Sequence, residues 1–226
     1  MTDTEKIDLL DAMECRELTA EDFSHIFALS RDPDPFVRSR CAAVLVNGEG
    51  EEAHRLLLHL ANDPDAFVRT EAYDSLALFP SRETELLLSH SIYPEDDDLA
   101  VSYAILSWAD VTAALHDEYS TQIAFVHQLL NDAEFSDCHS ECFYALCRFG
   151  ESGALQNLLS LLDDPDDTVR CRVCNLCKDL AEEENILQIG AAVRLLLQTE
   201  EAAAVLSAAQ SLLERLNEMQ RKEETT

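Results

Sequence analysis

A chain of 226 residues, 47% hydrophobic and with only 5 Gly and 6 Pro, has enough apolar content for a buried core and too few turn residues for an all-β sandwich. Its 45 acidic against 16 basic residues, a formal net charge of −29, argue against docking on nucleic acid or an anionic membrane and are consistent with solubility, with high salt or, the sharper reading, with a basic partner. The acidic start, MTDTEKIDLLDAMECRE, lacks a secretory signal, and no apolar stretch is expected to reach the ~18 residues of a membrane span, so the eight cysteines read as reduced thiols of a cytoplasmic protein.

Taken in chain order, residues 3 to 17 predict an N-terminal capping helix, and residues 1–18 form that cap as a segment. Three phrases then repeat: DPDPFVRSRC at 32 to 41, DPDAFVRTEA at 63 to 72 and DPDDTVRCRV at 164 to 173. With the valine of the phrase as a register mark, Val37, Val68, Ala100, Cys138, Val169 and Val205 define six repeats at intervals of 31, 32, 38, 31 and 36 residues. Four residues after each mark stand Cys41, Ala72, Ala104, Cys142, Val173 and Ala209; eight after stand Leu45, Leu76, Trp108, Leu146, Cys177 and Leu213. These offsets share one helical face, so each mark opens an amphipathic second helix. Eight residues before the mark, Leu29, Leu60, Ile92, Leu130, Leu161 and Leu197 close a first helix.

The phrase punctuates each pair. A helix rarely runs through the residue before proline, so Asp32-Pro33, Asp63-Pro64 and Asp164-Pro165 end the first helices. Asp34, Asp65 and Asp166 fall at N-cap positions, where a carboxylate accepts otherwise unpaired amide hydrogens. The wide interval between the third and fourth repeats predicts an insertion around VTAALHDEYS, as a bulge or a longer loop. The fold class that follows is all-α, with about twelve helices in antiparallel pairs over 19–216 and a frayed tail at 217–226.

In these residues the chain resembles HEAT repeats, especially the short variety of phycobilisome-lyase-type proteins, which share Asp-x-x-x-x-Val-Arg-x-x-Ala. The resemblance implies a right-handed α-solenoid and a ladder of aspartates and arginines along the stack, which carries over to Asp34, Arg38, Asp65, Arg69, Asp166 and Arg170. Val101, His139 and Leu206 replace the arginine in the other repeats, so the ladder is expected to break there.

Chemistry is sparse. Cys171, Cys174 and Cys177 read CxxCxxC, but Cys41, Cys138, Cys142 and Cys177 fall in core slots, leaving Cys147, Cys171 and Cys174 off the stripe, a poor tetrahedral metal set. One HEAT-repeat family, deoxyhypusine hydroxylase, holds di-iron through His-Glu pairs; none of the seven histidines here is followed by glutamate. His116-Asp117 reads as part of a solvated loop. Neither a phosphate loop, a nucleophile elbow nor a zinc-protease motif occurs. No catalytic residue, metal or cofactor is therefore assigned.

Surface remains. Positions two, three and six after the mark are expected to point away from the core, onto a concave face lined by second helices, which nominates Arg40, Glu71, Asp74, Tyr103, Glu141, Tyr144 and Arg172, with Asp179 one turn beyond. Tyrosines among carboxylates suit a basic peptide or protein. The expected function is non-enzymatic protein binding by an acidic scaffold. The alternatives are a phycobilin-lyase-like enzyme subunit and an immunity-type neutraliser of a basic toxin or nuclease.

Overall fold

The first two helices open on the same reciprocal cap. Thr2 Oγ1 accepts the Glu5 amide while the Glu5 carboxylate accepts the Thr2 amide, and Thr19 and Asp22 repeat the exchange. The computed structural model describes residues 1–223, and over them it is all-helical, with no strand. Helix α1 spans Asp3–Asp11, and after it the α-helices come in six consecutive pairs. These are α2 (Ala20–Leu29) with α3 (Pro35–Val44), α4 (Glu51–Leu60) with α5 (Ala66–Leu76), and α6 (Arg82–Ser91) with α7 (Asp98–Leu115). The remaining three are α8 (Ser120–Leu130) with α9 (His139–Arg148), α10 (Ala154–Ser160) with α11 (Asp167–Leu180), and α12 (Ile186–Leu196) with α13 (Ala203–Glu223).

Five register marks lie in the second helix of their pair, and Cys138 lies in the short 3₁₀ segment leading into α9. The caps fall where the sequence places them. Asp34, Asp65 and Asp166 accept the amides of Phe36, Phe67 and Thr168 at 2.9, 3.0 and 2.8 Å. Pro35 stands at the first position of α3, where its missing N–H has no consequence. Ser81 and Asp97 cap α6 and α7 in the same manner.

The chain divides into two compact units, Met1–Glu118 and Tyr119–Thr226. In the first, α3 packs on α5 and α5 on α7, with α4 and α6 laid against this row and α1 against α3. In the second, α9 packs on α11 and α11 on α13, flanked by α8, α10 and α12. The core slots four residues after the mark are all buried. The slot before it is shifted in the second unit, where Leu129, Leu162 and Leu196 are buried and Leu130, Leu161 and Leu197 are half-exposed.

Several expectations need correction. The N-terminal helix ends at Asp11, short of residue 17, because the chain turns to bury Met13 and to bring the Arg16 guanidinium onto Asp22 at 2.6 and 2.9 Å. The long third interval makes no inserted loop before residue 116: VTAAL continues α7, whose Val111 and Thr112 are buried, and the link to α8 is short. That extended α7 is, among the described residues, the one helix long and apolar enough to cross a membrane, against the expectation that no apolar stretch reaches that length; more than half of it is buried, and it packs against α5 and α6. Helix α13 runs through 217–223, where a frayed tail was expected, while residues 224–226 lie outside the described residues.

The second helices are buried over a wider arc than one stripe. Position two, expected to face outward, is buried as Ser39, Thr70, Ser102 and Ser140. Position five is buried as Ala42, Tyr73, Ile105 and Cys174. Each second helix is covered both by first helices and by neighbouring second helices, and small side chains allow the close approach. Ser75 marks one such contact, its buried hydroxyl donating to the Ala42 carbonyl of the preceding second helix at 3.1 Å.

Candidate functional site

The arginine of the phrase builds a clamp. Arg38 Nε and Nη2 fork onto Asp63 at 2.7 Å each, while its Nη1 donates to the carbonyls of Asp32 and Pro33 at 2.8 and 3.3 Å. Arg69 does the same to Glu95 and to the carbonyls of Asp63 and Pro64, and Arg170 to Glu200 and to those of Asp164 and Pro165. Each guanidinium thus ties its own turn to the turn of the next repeat, through the bidentate geometry that arginine alone offers.

This changes the expected ladder. Its arginines are those assigned from the sequence, but Asp34, Asp65 and Asp166 serve as caps and the rung acceptor is the acid five residues before the mark. That acid also holds its own turn, since Asp32, Asp63 and Asp164 accept the amides of Asp34, Asp65 and Asp166 at 3.0, 2.9 and 2.8 Å. Lys6 supplies the first rung, reaching Asp32 at 2.7 Å from α1. The column Asp32, Asp63, Glu95, Asp164 and Glu200 is readable in the sequence once sought, and Val101 and Ala133 lack both halves of a rung.

The rung acids are held ionised. Arg170, aided by the Ala202 amide, keeps the Glu200 carboxyl down at about 2, against opposing burial. At Asp63 and Glu95 burial is the largest influence and would raise the pKa, but the hydrogen bonds from Arg38 and Arg69 and the turn amides overcome it, so both are lowered. Open clefts flank the rungs, one of about 350 Å³ bordered by Arg69, Tyr73, Ser91 and Glu95, and one of about 520 Å³ beside Arg170 and Glu200. Their guanidinium groups already face acceptors on all sides, four for Arg170 and five for Arg69, which also reaches Asp96 at 3.4 Å, so the rungs serve architecture.

The eight nominated surface residues divide four and four between the compact units. In the first unit, Arg40 of α3 donates to Asp11 at 2.7 Å and pairs with Glu14, which fastens the N-terminal segment. Glu71 of α5 is half-buried, and desolvation, then the like charge of Asp74, push its carboxyl up against the pull of Arg40. Asp74 is exposed and Tyr103 of α7 half-buried. These positions make a strip along successive second helices in which both acids, Glu71 and Asp74, stand on α5.

The second unit does not repeat that strip. Glu141 and Tyr144, expected to be exposed, are buried, because α9 is covered by α8, α10 and α11. Glu141 is accommodated by Ser140 Oγ, which donates at 2.8 Å, and by Arg172 Nη1 at 3.0 Å, which also donates to the Asp137 carbonyl at 3.1 Å. Two residues nominated as separate contacts are therefore partners of each other. Asp179 remains exposed on α11.

Other polar groups are also tied internally. His116, expected in a solvated loop, caps α7 and places Nε2 3.1 Å from both oxygens of buried Glu85, whose carboxyl is lowered because hydrogen bonds from His116 and Arg82 outweigh its burial. His54 bonds Thr84 at 2.7 Å and stacks on Phe79. Cys174 lies off the sequence stripe yet is fully buried with Cys41, Cys142 and Cys177. Among the described residues no three His, Cys, Asp or Glu side chains group as a metal set. Comparison with known protein families finds no match, and comparison with curated proteins finds no relative.

Proposed function

We propose that this chain is a non-enzymatic binding protein, an acidic scaffold of HEAT-like helix pairs of the right-handed α-solenoid kind, whose partner is a basic protein or peptide. The observation that supports it is where the cations go. Lys6, Arg16, Arg38, Arg40, Arg69, Arg82, Arg170 and Arg172, eight of the sixteen cations, are in ion pairs within the fold, so in a chain of net charge −29 half of the few cations already face its own carboxylates. The charge it presents outward is predominantly carboxylate, including Asp74 beside half-buried Glu71 on α5. Solubility is ordinarily met by a net charge of about 2 to 8 in magnitude, and the excess points to a cationic partner steered by the field. Nucleic acid and anionic membrane surfaces are repelled by the same field.

The test is capture from the native cytoplasm with the full chain as bait, partners being identified by mass spectrometry and eluted by increasing salt. The expected partner is basic, binds fast at low ionic strength and is released steeply by salt. A neutral or acidic partner held regardless of salt would overturn the reading.

A further inference from the structure

The first compact unit carries an apolar row that its fold does not require. Phe36, Phe67 and Leu99 occupy the position just before the mark at the start of α3, α5 and α7, and they are 49, 50 and 53% exposed. The Phe36 and Phe67 rings are parallel within 3°, with centroids 6.4 Å apart. The same position in α11 is Thr168, behind the same Asp-Pro-Asp cap and the same arginine rung. The cap and the rung thus form without an aromatic ring, and the two phenylalanines meet each other while leaving about half of their surface in water.

The surroundings specify the chemistry of a ligand. Each apolar residue follows an N-cap carboxylate, Asp34, Asp65 or Asp97, and Asp96 and Asp98 are exposed beside Leu99. The arginines of these turns, Arg38 and Arg69, are turned onto Asp63 and Glu95, with Arg69 also reaching Asp96 at 3.4 Å, which leaves Asp34, Asp65, Asp97 and Asp98 as the carboxylates of the edge. A ligand for this edge must cover aromatic faces and bring positive charge, which is what a guanidinium does by stacking flat on a ring while forking onto a carboxylate. The unit holds a ring-stacked guanidinium of its own, that of Arg31 4.0 Å over the Phe27 ring, with its Nη1 donating to the Phe27 carbonyl at 2.7 Å. Spacing adds a second restriction. Alternate side chains of an extended strand repeat at about 6.6 Å, close to the separation of the two rings.

We infer that the edge formed by Phe36, Phe67 and Leu99 with their cap carboxylates docks an extended segment of a partner protein that carries arginine at alternate positions, one arginine per ring. The inference rests on the basic-partner reading above and moves the contact from the face of the second helices to their N-terminal edge.

The experiment titrates the full chain, by fluorescence anisotropy at low salt, into a labelled peptide of alternating arginine and serine and into its lysine counterpart. It uses wild type, Phe36→Thr/Phe67→Thr, and the control Leu187→Thr/Leu195→Thr on exposed α12 positions of the other unit. Circular dichroism melting checks the fold of the threonine pair, a substitution that α11 already contains at Thr168. The expected result is binding of the arginine peptide that weakens about tenfold in the Phe36/Phe67 variant, is unchanged in the control, and is severalfold weaker for lysine. Wild-type affinity in the Phe36/Phe67 variant would overturn the edge while leaving the acidic scaffold standing. Failure of both peptides to bind wild type would overturn both. A wild-type dimer that the threonine pair converts to monomer would assign the row to a second copy of the chain and equally overturn the proposal.

Discussion

Arg172 of α11 reaches Glu141 of α9 at 3.0 Å, joining a side chain that keeps 29% of its surface in water to one that keeps 1%. Ser140 is the hydrogen-bond donor to this carboxylate and Arg172 its ion-pair partner, so removing the arginine leaves the charge sealed between helices without a counter-ion. Arg172→Met is expected to lower stability by about 3 kcal/mol in urea denaturation, since breaking a buried pair strands the other charge. Adding Glu141→Gln to that variant is expected to recover part of the loss. The much more exposed Arg82→Met is expected to cost less than about 1 kcal/mol. An Arg172→Met variant as stable as wild type would show that Glu141 reaches solvent.

The rungs have a pH signature of definite sign. The Glu200 carboxyl is held at about 2 in the folded chain against an ordinary value of 4.5, so its contribution to stability is complete above 4.5 and fades as pH falls through about 2. Arg170→Met is therefore expected to be less stable than wild type near neutral pH, with a gap that closes across this acid window. Stability curves at a series of pH values measure it, and a gap that stays constant to the bottom of the window would contradict the rung.

Thiol reactivity separates core from surface. Burial pushes the Cys41, Cys174 and Cys177 thiols up to about 12 and raises Cys142 as well, whereas Cys15 is exposed. Iodoacetamide at mildly alkaline pH is expected to modify Cys15 in the native chain and Cys174 only after denaturant is added, as read by peptide mass spectrometry. Equal native labelling of Cys174 would reopen the CxxCxxC stretch as a reactive site.

Two glycines should respond oppositely to alanine. A Cβ on Gly48 would lie 3.0 Å from Ala53 Cβ and from the Phe23 ring and 3.1 Å from Leu18, so Gly48→Ala is expected to destabilise by about 1–3 kcal/mol through overpacking. Gly190 lies within α12, and a Cβ there meets chiefly the flexible end of Arg194, at 3.2 Å. Gly190→Ala is expected to stabilise by up to about 1 kcal/mol from helix propensity. Thermal melts of the two variants that moved in the same direction would contradict the packing around Gly48.

The sequence by itself determined the helical class, the register of the marks and the caps at Asp34, Asp65 and Asp166. These depend on local chemistry, namely a 3.6-residue apolar period, a proline that stops one helix and a carboxylate that meets the free amides of the next. It also located Arg38, Arg69 and Arg170, because one residue type at one position recurs with the phrase. Their acceptors were visible as a column of acids five residues before the mark, but which of two aspartates in Asp-Pro-Asp faces the arginine depends on how the next repeat's turn is placed.

Only the tertiary structure decided which sides of the second helices are covered. Ser39, Thr70 and Ser102 are buried because α3, α5 and α7 pack on one another as well as on first helices, and neighbours from other repeats leave no trace in a single helix's period. For the same reason Glu141 and Tyr144 went inside with Arg172 as the partner of Glu141, while the residues of VTAAL, equally suited to a loop count or to another turn of helix, were wound into α7 because there Val111 and Thr112 could be buried.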